Sequence, residues 1–496
     1  MLITLKHYNI FKMLFSNFAK NLARKPKLAL FLIVIFGIFL RLVFFSGMGV
    51  SDSLTYSKTA YNIDKGIDAN SVLTLSTRLG LIYPTAISYK IFGINDFSSV
   101  LFVLLTSIAS IILIFYFGKL LFNTKIGMIA AFLLSFFPLD VVYSTKLSSD
   151  LPSAFFMALG IYIFLYAELK SKLKYGSIYL LSGIFIGIGY LIRESALLIA
   201  LFFIAYILYK RKVKKEYFLV PAGVLMVFIF EALIFFNLTQ DFLFRVHASQ
   251  DYLAKASLIR NYFGRLDFPT GLFHYPWLFL TNSLLVFFYI FILSAVIYYI
   301  VFRKKETYTL LFWFIPLLLY LSFGSSSLSQ YIPLSAVDRY TSIIAMPGIL
   351  LLSFFLAGKK WNMKSAPFLI VAFLFITSIT SVYIREDRNQ LKELRLAYDH
   401  IKNLDKKTVY IDDRSAEVLS YIAKYEDKFE VVAYPTDLSK IEDSYIMINK
   451  KMIKGLKDAN KNRIFPDEIE NPPKKWELTD EIGSNDEDKI IIYYAP

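Results

Sequence analysis

The chain of 496 residues has no cysteine, which excludes disulfides, thiolate nucleophiles and cysteine-ligated metal sites. Acidic residues are fewer than basic ones, 39 against 54, and the formal net charge is +15. A basic chain can indicate a nucleic-acid partner, but these lysines and arginines form short clusters between apolar runs instead of one soluble face. That distribution indicates membrane topology and argues against nucleic-acid binding.

Hydrophobic residues are abundant: they make up 56% of the chain, and phenylalanine alone occurs 48 times. Apolar runs of about 20 residues, the length that crosses a bilayer, recur between Leu28 and Ile384. Only helices and closed barrels satisfy their backbone hydrogen bonds in lipid, and these runs lack the alternation of barrel strands. The sequence therefore predicts a polytopic α-helical membrane protein.

The basic residues predict the orientation of the chain. The N-terminal tail, residues 1–27, is rich in lysine and arginine and is expected in the cytoplasm, where such residues are enriched. The run that follows is too long and too poorly flanked by small residues for a cleavable signal, so it is the first span. Eleven spans place every later basic cluster on the same inner side. They lie at residues 28–46, 98–118, 127–144, 152–169, 176–192, 195–209, 217–237, 277–302, 308–322, 341–357 and 366–384.

This topology divides the chain into a transmembrane domain at residues 28–384 and an extracytoplasmic tail at residues 385–496. The first outer loop, residues 47–97, contains the run Leu79–Phe92, which is short and holds Pro84, so we expect a helix lying at the outer interface. The tail alternates helical and strand-like patterns, which predicts a small α/β domain. Its sequence has neither a Gly-rich phosphate loop nor metal-ligand spacing.

Several ionisable residues lie where spans meet the outer side. Asp52 follows the first span, and Asp150 follows the third. Three arginines, Arg78, Arg193 and Arg339, occupy similar boundaries. Taken singly, such an acid can be a loop residue or a helix cap, and such an arginine can reach lipid head groups or pair with an acid. Together they predict an outer cavity with carboxylates at one end and, at the other, guanidinium groups that match phosphate oxygens.

Five further residues are candidates for an accessory role: Arg41, Tyr56, Lys146, Tyr340 and His247. Arg41 and Asp140 fall inside predicted spans, where ionisable groups are costly and usually serve pairs, pathways or ligands. For His247, and also for Trp277 and Trp313, anchoring at the membrane surface is the favoured explanation, because aromatic residues gather there.

These residues resemble the motifs of a known family. In chain order they are Phe39-Leu-Arg-Leu42, Asp52-Ser-Leu-Thr-Tyr56, Arg78-Leu-Gly-Leu-Ile-Tyr-Pro84, Asp150-Leu-Pro152, Gly187-Ile-Gly-Tyr-Leu-Ile-Arg193 and Asp338-Arg-Tyr340. Their order and sidedness resemble the GT-C membrane glycosyltransferases, in the branch of the protein O-mannosyltransferases and the lipid A aminoarabinose transferases. The resemblance extends over most of the membrane region.

The resemblance implies an inverting transfer of a sugar from a polyprenyl-phosphate donor to a protein, lipid or glycan acceptor. Asp52 takes the position of the family's catalytic aspartate, and Asp150 that of an acid that helps to bind the acceptor or a metal. The residues that would contact the donor phosphate are Arg78, Arg193 and Arg339. Ser53 stands where many relatives have a second acid, so a cation held between adjacent carboxylates is not expected, although a divalent cofactor stays open.

Two other classes of protein remain as alternatives. A transporter or flippase of a lipid-linked anion would use the arginines without covalent chemistry, but the broken helices of an inverted repeat, which would favour it, are not evident in the sequence. A structural membrane protein whose tail binds partners is the third class. The sequence favours the glycosyltransferase and identifies neither the sugar, nor the polyprenol, nor the acceptor.

Overall fold

The computed structural model describes residues 25–66, 77–170, 176–250, 270–325, 331, 334, 336–358, 361, 363, 365–385, 391–402, 408–426, 430–438, 441–459, 465–483 and 489–496. The chain divides into two compact units. The first, which we call the membrane unit, consists of Met1–Phe45, Phe102–Leu233 and Arg265–Arg385. The second, the loop–tail unit, consists of Ser46–Leu101, Ile234–Gly264 and Glu386–Pro496.

Helices dominate the chain. In order they are α1 (Pro26–Val43), α2 (Asp52–Asp64), α3 (Leu79–Phe92), α4 (Asp96–Leu121), α5 (Thr124–Ser135), α6 (Pro138–Tyr143), α7 (Asp150–Leu169), α8 (Gly176–Ile192), α9 (Ala200–Lys210), α10 (Leu219–Thr239), α11 (His274–Thr281), α12 (Val286–Val301), α13 (Tyr308–Phe323), α14 (Ser342–Gly358), α15 (Ala366–Ile384), α16 (Lys392–Ile401), α17 (Asp413–Ile422) and α18 (Lys450–Ala459). Short 3-10 turns occur at Glu194–Ile199, Lys215–Phe218, Thr270–Phe273, Lys305–Thr307, Asp338–Thr341 and Asp467–Ile469.

Seven helical segments among the described residues are long and apolar enough to cross a membrane, and eight are if α11 and α12 form one bent span. Three other predicted spans correspond to the shorter apolar helices α5, α8 and α9. The chain is thus a multi-pass helical membrane protein, as predicted. The count of eleven spans and the side on which each terminus lies stay predictions.

Two predicted spans are interrupted, so the continuous helices expected at residues 127–144 and 277–302 are corrected to helix pairs. α5 ends at Ser135 and α6 begins at Pro138, because proline lacks an N–H and favours the first turn of a helix. α11 and α12 are bent by 112° relative to each other. Between them the side-chain oxygen of Asn282 accepts from the amide of Leu284 at 2.9 Å, which satisfies a donor that the broken helix leaves open.

Glycine permits close backbone contact between α8 and α10. A Cβ atom on Gly183 would lie 2.0 Å from the carbonyl oxygen of Val220 and 3.0 Å from Cα of Gly223. In lipid, helices associate through packing of this kind, because burial from water no longer drives it. The glycines therefore set the distance between these two helices.

Trp313 lies in the interior of the membrane unit, where its ring is 5.5 Å from that of Phe117 and its side chain is fully buried. This burial excludes anchoring at the membrane surface as the explanation for Trp313. The sequence could not predict the burial, because a run of apolar residues does not reveal which face of α13 meets neighbouring helices. Trp277, in contrast, is 65% exposed.

A five-stranded mixed sheet is the core of the tail. The strands are β1 (Val409–Ile411), β2 (Val431–Ala433), β3 (Ser444–Asn449), β4 (Glu477–Ile482) and β5 (Ile490–Ala495). Their order is β2-β1-β3-β5-β4, with β1 parallel to β2 and β3, and β5 antiparallel to β3 and β4. Every residue of β3 is buried, as expected for a strand covered on both faces. Together with helices α16 to α18, the sheet confirms the predicted small α/β domain.

The first outer loop contributes α2 and α3, which pack through a cluster of Ala60, Ile82, Ala86 and Tyr89. The helix predicted at Leu79–Phe92 is present with those bounds, and its interfacial position stays a prediction. The loop belongs to the same compact unit as the tail, whereas the predicted boundaries assigned it to the transmembrane domain. Hydrogen bonds join the loop to the tail across a long stretch of sequence. Local sequence patterns do not predict such bonds, which accounts for the different assignment of the loop.

Replacement of Gly183 by alanine should destabilise the membrane unit, because the added methyl group has to displace the backbone of α10. Overpacking of this kind costs roughly 1–3 kcal/mol. The thermal midpoint of the detergent-solubilised protein measures the effect. Gly455→Ala is the control, since a Cβ atom there meets open space within helix α18 and should be neutral or stabilising. Equal midpoints for Gly183→Ala and wild type would contradict the close contact.

Candidate functional site

A buried carboxylate at the start of α7 gathers two guanidinium groups. Asp150 is only 4% exposed, and its Oδ2 accepts from Ser148 Oγ at 2.9 Å. Arg193 donates from Nη1 to its Oδ1, and Nε of Arg339 lies 3.4 Å from its Oδ2. The structure therefore brings together three predicted site residues that lie far apart in sequence.

Helix ends position this cluster. Asp150 is the first residue of α7, and Arg193 directly follows the last residue of α8. Arg339 lies in the 3-10 turn that leads into α14. All three elements belong to the membrane unit, and one end of each converges on the carboxylate.

Tyr340 supports the guanidinium groups with its ring. The ring centroid lies 4.4 Å from the Arg193 guanidinium carbon and 5.9 Å from that of Arg339. Stacking on an aromatic face stabilises a guanidinium and restricts its plane. The predicted accessory residue Tyr340 is therefore a member of the cluster, which carries two positive groups for one carboxylate.

A second carboxylate holds the turn that carries Arg339. Asp338 is buried, accepts from the Tyr143 hydroxyl at 2.6 Å, and lies 3.3 Å from both Asn282 Nδ2 and Arg385 Nη1. The backbone amide of Arg339 also donates to Asp338 at 2.7 Å. The carboxylate thereby fixes the backbone on either side of the peptide bond that precedes Arg339.

Sequence reasoning missed the partners of Asp338. Tyr143 and Asn282 lie inside predicted spans, and Arg385 is the first residue of the predicted tail. The sequence signal for these partners is the presence of polar residues near the ends of apolar runs, because buried polar groups need hydrogen-bond partners.

The partners of Arg41 differ from those of the arginines at Asp150. It is fully buried in α1, and its Nη2 lies 2.7 Å from Asp140 Oδ1, while Nε donates to Ser107 at 2.8 Å. Its Nη1 donates to the carbonyl oxygens of Gly37 and Ser135. Pairing with an acid, the alternative left open by the sequence, therefore accounts for Arg41, because its guanidinium is enclosed by protein partners.

The first outer loop brings two other predicted residues together. Arg78 donates from Nη1 to the hydroxyl of Tyr56, and its guanidinium carbon lies 5.4 Å from the centre of that ring. Tyr56 is buried in α2, one turn beyond Asp52, which is the first residue of the helix. Asp52 itself is partly exposed. The loop–tail unit thus contains Asp52, Tyr56 and Arg78 on neighbouring elements.

The last two predicted accessory residues lie elsewhere in their units. The ammonium of Lys146 is 5.8 Å from the centre of the Tyr143 ring, close to the partners of Asp338. His247 is exposed, and its Nδ1 lies 2.7 Å from Asp241 Oδ2. That hydrogen bond lowers the pKa of Asp241, so the two residues form a local polar pair.

In the part of the chain that the structure describes, no group of three or more His, Cys, Asp or Glu could hold a metal ion. Asp150 already faces two guanidinium groups, and Ser53 follows Asp52. Divalent cations such as Mg²⁺ and Ca²⁺ prefer several oxygen ligands, with carboxylates prominent among them. The residues around these two acids therefore do not fit a cation bound between carboxylates.

Comparison with known proteins places this geometry in context. A family model described as dolichyl-phosphate-mannose-protein mannosyltransferase matches residues 79–235, about a third of the chain. The match covers Asp150 and Arg193 and begins one residue after Arg78. Comparison with curated proteins finds no match.

Solved structures share the fold at low sequence identity. ArnT from Cupriavidus metallidurans, bound to undecaprenyl phosphate, is 11% identical, with a TM-score of 0.59, over 93% of this chain and 97% of that one. The oligosaccharyltransferase AglB from Archaeoglobus fulgidus, in complex with an inhibitory peptide and a dolichol-phosphate, is 13% identical, with a TM-score of 0.52, over 86% and 70%. A complex of the Archaeoglobus fulgidus oligosaccharyltransferase with Zn and sulfate is 14% identical, with a TM-score of 0.51, over 86% and 68%.

The predicted resemblance is confirmed by these findings. The family match supports the glycosyltransferase class, and the solved structures show the GT-C fold.

Proposed function

We propose that the chain is an integral membrane glycosyltransferase. It transfers a sugar from a polyprenyl-phosphate-linked donor to a protein, lipid or glycan acceptor on the outer face of the membrane. The observation that carries the proposal is the pair of guanidinium groups, Arg193 and Arg339, gathered at Asp150 in a chain with this fold and family match. The same match and fold favour transfer chemistry over the transporter alternative.

The arginine cluster supports binding of the donor phosphate. The side chains of Arg193 and Arg339 are 13% and 28% exposed, so they are held by protein and are still partly accessible. Guanidinium forks match phosphate oxygens in pairs, and groups fixed in advance stabilise developing charge without reorganisation. Solved structures with this fold contain undecaprenyl phosphate or dolichol-phosphate, which supports a polyprenyl phosphate as the leaving group.

The chemistry is a single displacement. Asp52 accepts the proton of the acceptor hydroxyl as its oxygen forms the bond to the anomeric carbon. The bond between that carbon and the phosphate oxygen breaks, and the electron pair leaves with the polyprenyl phosphate, whose charge the arginines stabilise. Asp150 holds Arg193 and Arg339 in place; its resemblance-based role in acceptor binding stays a prediction. Arg78 is assigned to the phosphate on the resemblance alone, and no divalent cation is part of the proposal.

Replacement of Arg193 or Arg339 by lysine should weaken binding of undecaprenyl phosphate by about tenfold or more, because lysine keeps the charge and loses the fork. A tenfold change is about 1.4 kcal/mol. Titration of the lipid phosphate onto purified protein in nanodiscs, followed by native mass spectrometry, measures it. Arg414→Lys is the control, since Arg414 forms an exposed pair with Glu417 in the tail. Unchanged affinity in both cluster variants, with a normal thermal midpoint, would remove the arginines from the donor site.

Asp52→Asn should lower the rate of transfer by about 10²–10⁴-fold, because asparagine keeps the size of aspartate and cannot accept the proton. Binding of undecaprenyl phosphate should stay within about twofold of wild type, since the base acts only in the reaction. The assay follows release of free polyprenyl phosphate from lipid-linked sugars extracted from host membranes. Asp64→Asn, at the other end of α2, is the control and should keep full activity. A fully active Asp52→Asn would end the assignment of Asp52 as base.

The proposed orientation places the N-terminus in the cytoplasm and residues 385–496 outside, because that arrangement keeps the basic clusters on the inner side. Protease added to intact cells should therefore cleave the tail and leave the membrane unit behind. Detection of an epitope placed after Pro496 provides the measurement. Cleavage only in inverted vesicles would reverse the orientation.

A further inference from the structure

The tail contacts the first outer loop just after the residue assigned as base. Ser57 lies five residues beyond Asp52 in α2, and the buried Tyr425 donates to its Oγ at 2.8 Å. The rings of Tyr61 and Tyr425 are 4.9 Å apart, and the ammonium of Lys58 lies 4.6 Å from the centre of the Tyr425 ring. One tail residue therefore contacts three residues on about one turn of α2.

A chain of buried hydroxyl groups extends this contact. Ser57 Oγ lies 2.6 Å from the Tyr89 hydroxyl, which lies 2.8 Å from Ser99 Oγ, which in turn lies 3.0 Å from the Tyr421 hydroxyl. Burial raises the pKa of Tyr89 to about 12 and raises that of Tyr421 and Tyr425 as well. Each of the three phenols carries one proton at neutral pH and so donates one hydrogen bond.

Through Asp96, the tail also acts on the segment just before Asp52. Gly47, five residues earlier, has a φ of 75°, and a Cβ atom there would lie 2.5 Å from Asp96 Oδ2. Two tail residues hold this carboxylate: Arg395 donates to both of its oxygens at 2.7 Å, and the Tyr421 hydroxyl donates to Oδ1 at 3.0 Å. The backbone at Gly47, which leads to Asp52, therefore packs against the Asp96 carboxylate, and tail residues hold that carboxylate in place.

The backbone at Tyr425 has an uncommon conformation that places its side chain in this contact. Lys424 and Tyr425 follow the end of α17 with φ values of 58° and 59°, the left-handed region that residues other than glycine rarely adopt. The Tyr425 amide donates to the carbonyl oxygen of Ser420 at 2.7 Å, which stabilises the turn. Such conformations cost free energy and persist where the surrounding structure stabilises them. Here the turn orients the Tyr425 side chain toward Ser57.

We propose that Tyr425 and Arg395 are positioning residues, through which the tail holds the segment carrying Asp52 on both sides. The inference rests on the proposed function for its assignment of Asp52 as base. The tail then contributes to transfer by fixing the orientation of α2, without contact with the reacting atoms.

Hydrogen–deuterium exchange on the full-length protein tests the structural half of this proposal. In Tyr425→Phe, which keeps the ring and loses the hydroxyl, amides of α2 should exchange several-fold faster, while those of β3 and β5 stay unchanged. Tyr494→Phe is the matched control, because its hydroxyl bonds to Asp443 within the tail; it should leave α2 unaffected. Unchanged exchange in α2 of Tyr425→Phe, or equal acceleration throughout the tail, would overturn the proposal.

Kinetics test the functional half. Tyr425→Phe should lower the maximal rate of polyprenyl-phosphate release at least tenfold and leave the donor concentration at half-maximal rate within about twofold, since the donor phosphate is bound by other residues. Ser57→Ala should give a loss at least as large, because it also removes the hydrogen bond to Tyr89, and the double variant should be no worse than Ser57→Ala, because Tyr425 then has no hydroxyl of Ser57 left to contact. Wild-type rates in Tyr425→Phe, or losses that add in the double variant, would overturn the role.

The two proposals fail in different ways. A fully active Asp52→Asn would end the assignment of the base while faster exchange in α2 of Tyr425→Phe still supported the structural contact. Slower transfer in Asp52→Asn together with a fully active Tyr425→Phe would leave the base in place and reject the positioning role.

Discussion

The arrangement of the arginine cluster depends on one carboxylate shared by two guanidinium groups. Asp150 is buried at the start of α7 and pairs with Arg193 and Arg339, which follow or precede other helices. Removing one partner of a buried ion pair is strongly destabilising, typically about 3–5 kcal/mol. The three helix ends therefore have to converge, and Asp338 fixes the turn that presents Arg339. The same constraint that satisfies the charge of Asp150 also concentrates the guanidinium groups that we propose for the donor phosphate.

The fold class can be predicted from this sequence more fully than the contacts within it. Long apolar runs and clustered lysines predict a polytopic helical protein from the physics of lipid alone, and the tail's α/β alternation follows from local patterns. Ionisable groups at membrane boundaries are costly and usually serve a pair, a pathway or a ligand. The sequence therefore indicates Asp150, Arg193 and Arg339 as candidate site residues. Their pairing, in contrast, joins residues separated by 43 and 189 positions in the chain, and no local signal encodes it.

Misjudged elements share a physical cause. The broken helices at residues 127–144 and 277–302 read as continuous because hydropathy records composition and not direction. Pro138 and Asn282 were the residues that mark the breaks. Arg41 is a different case: its charge inside a span is compatible with a pair or with a ligand, and in the structure Asp140 and Ser107 are its partners. An isolated sequence cannot distinguish a charge kept for a ligand from one kept for a partner.

The first loop and the tail belong to one compact unit. Hydrogen bonds connect the tail to the loop that carries Asp52. They join the hydroxyl groups of Ser57, Tyr89, Ser99, Tyr421 and Tyr425. Loops that carry catalytic residues are usually held by rigid scaffolds. Here a tail residue contacts α2, the helix on which the proposed base Asp52 lies.

The central claim is that this chain transfers a sugar from a lipid-linked donor. Mass spectrometry of surface glycans and lipid-linked sugars, in cells with and without the chain, tests it most directly. The account predicts that cells without the chain lose one sugar from a surface protein, lipid or glycan and accumulate the matching polyprenyl-phosphate sugar. Identical glycan and lipid-linked sugar profiles in the two strains would contradict it.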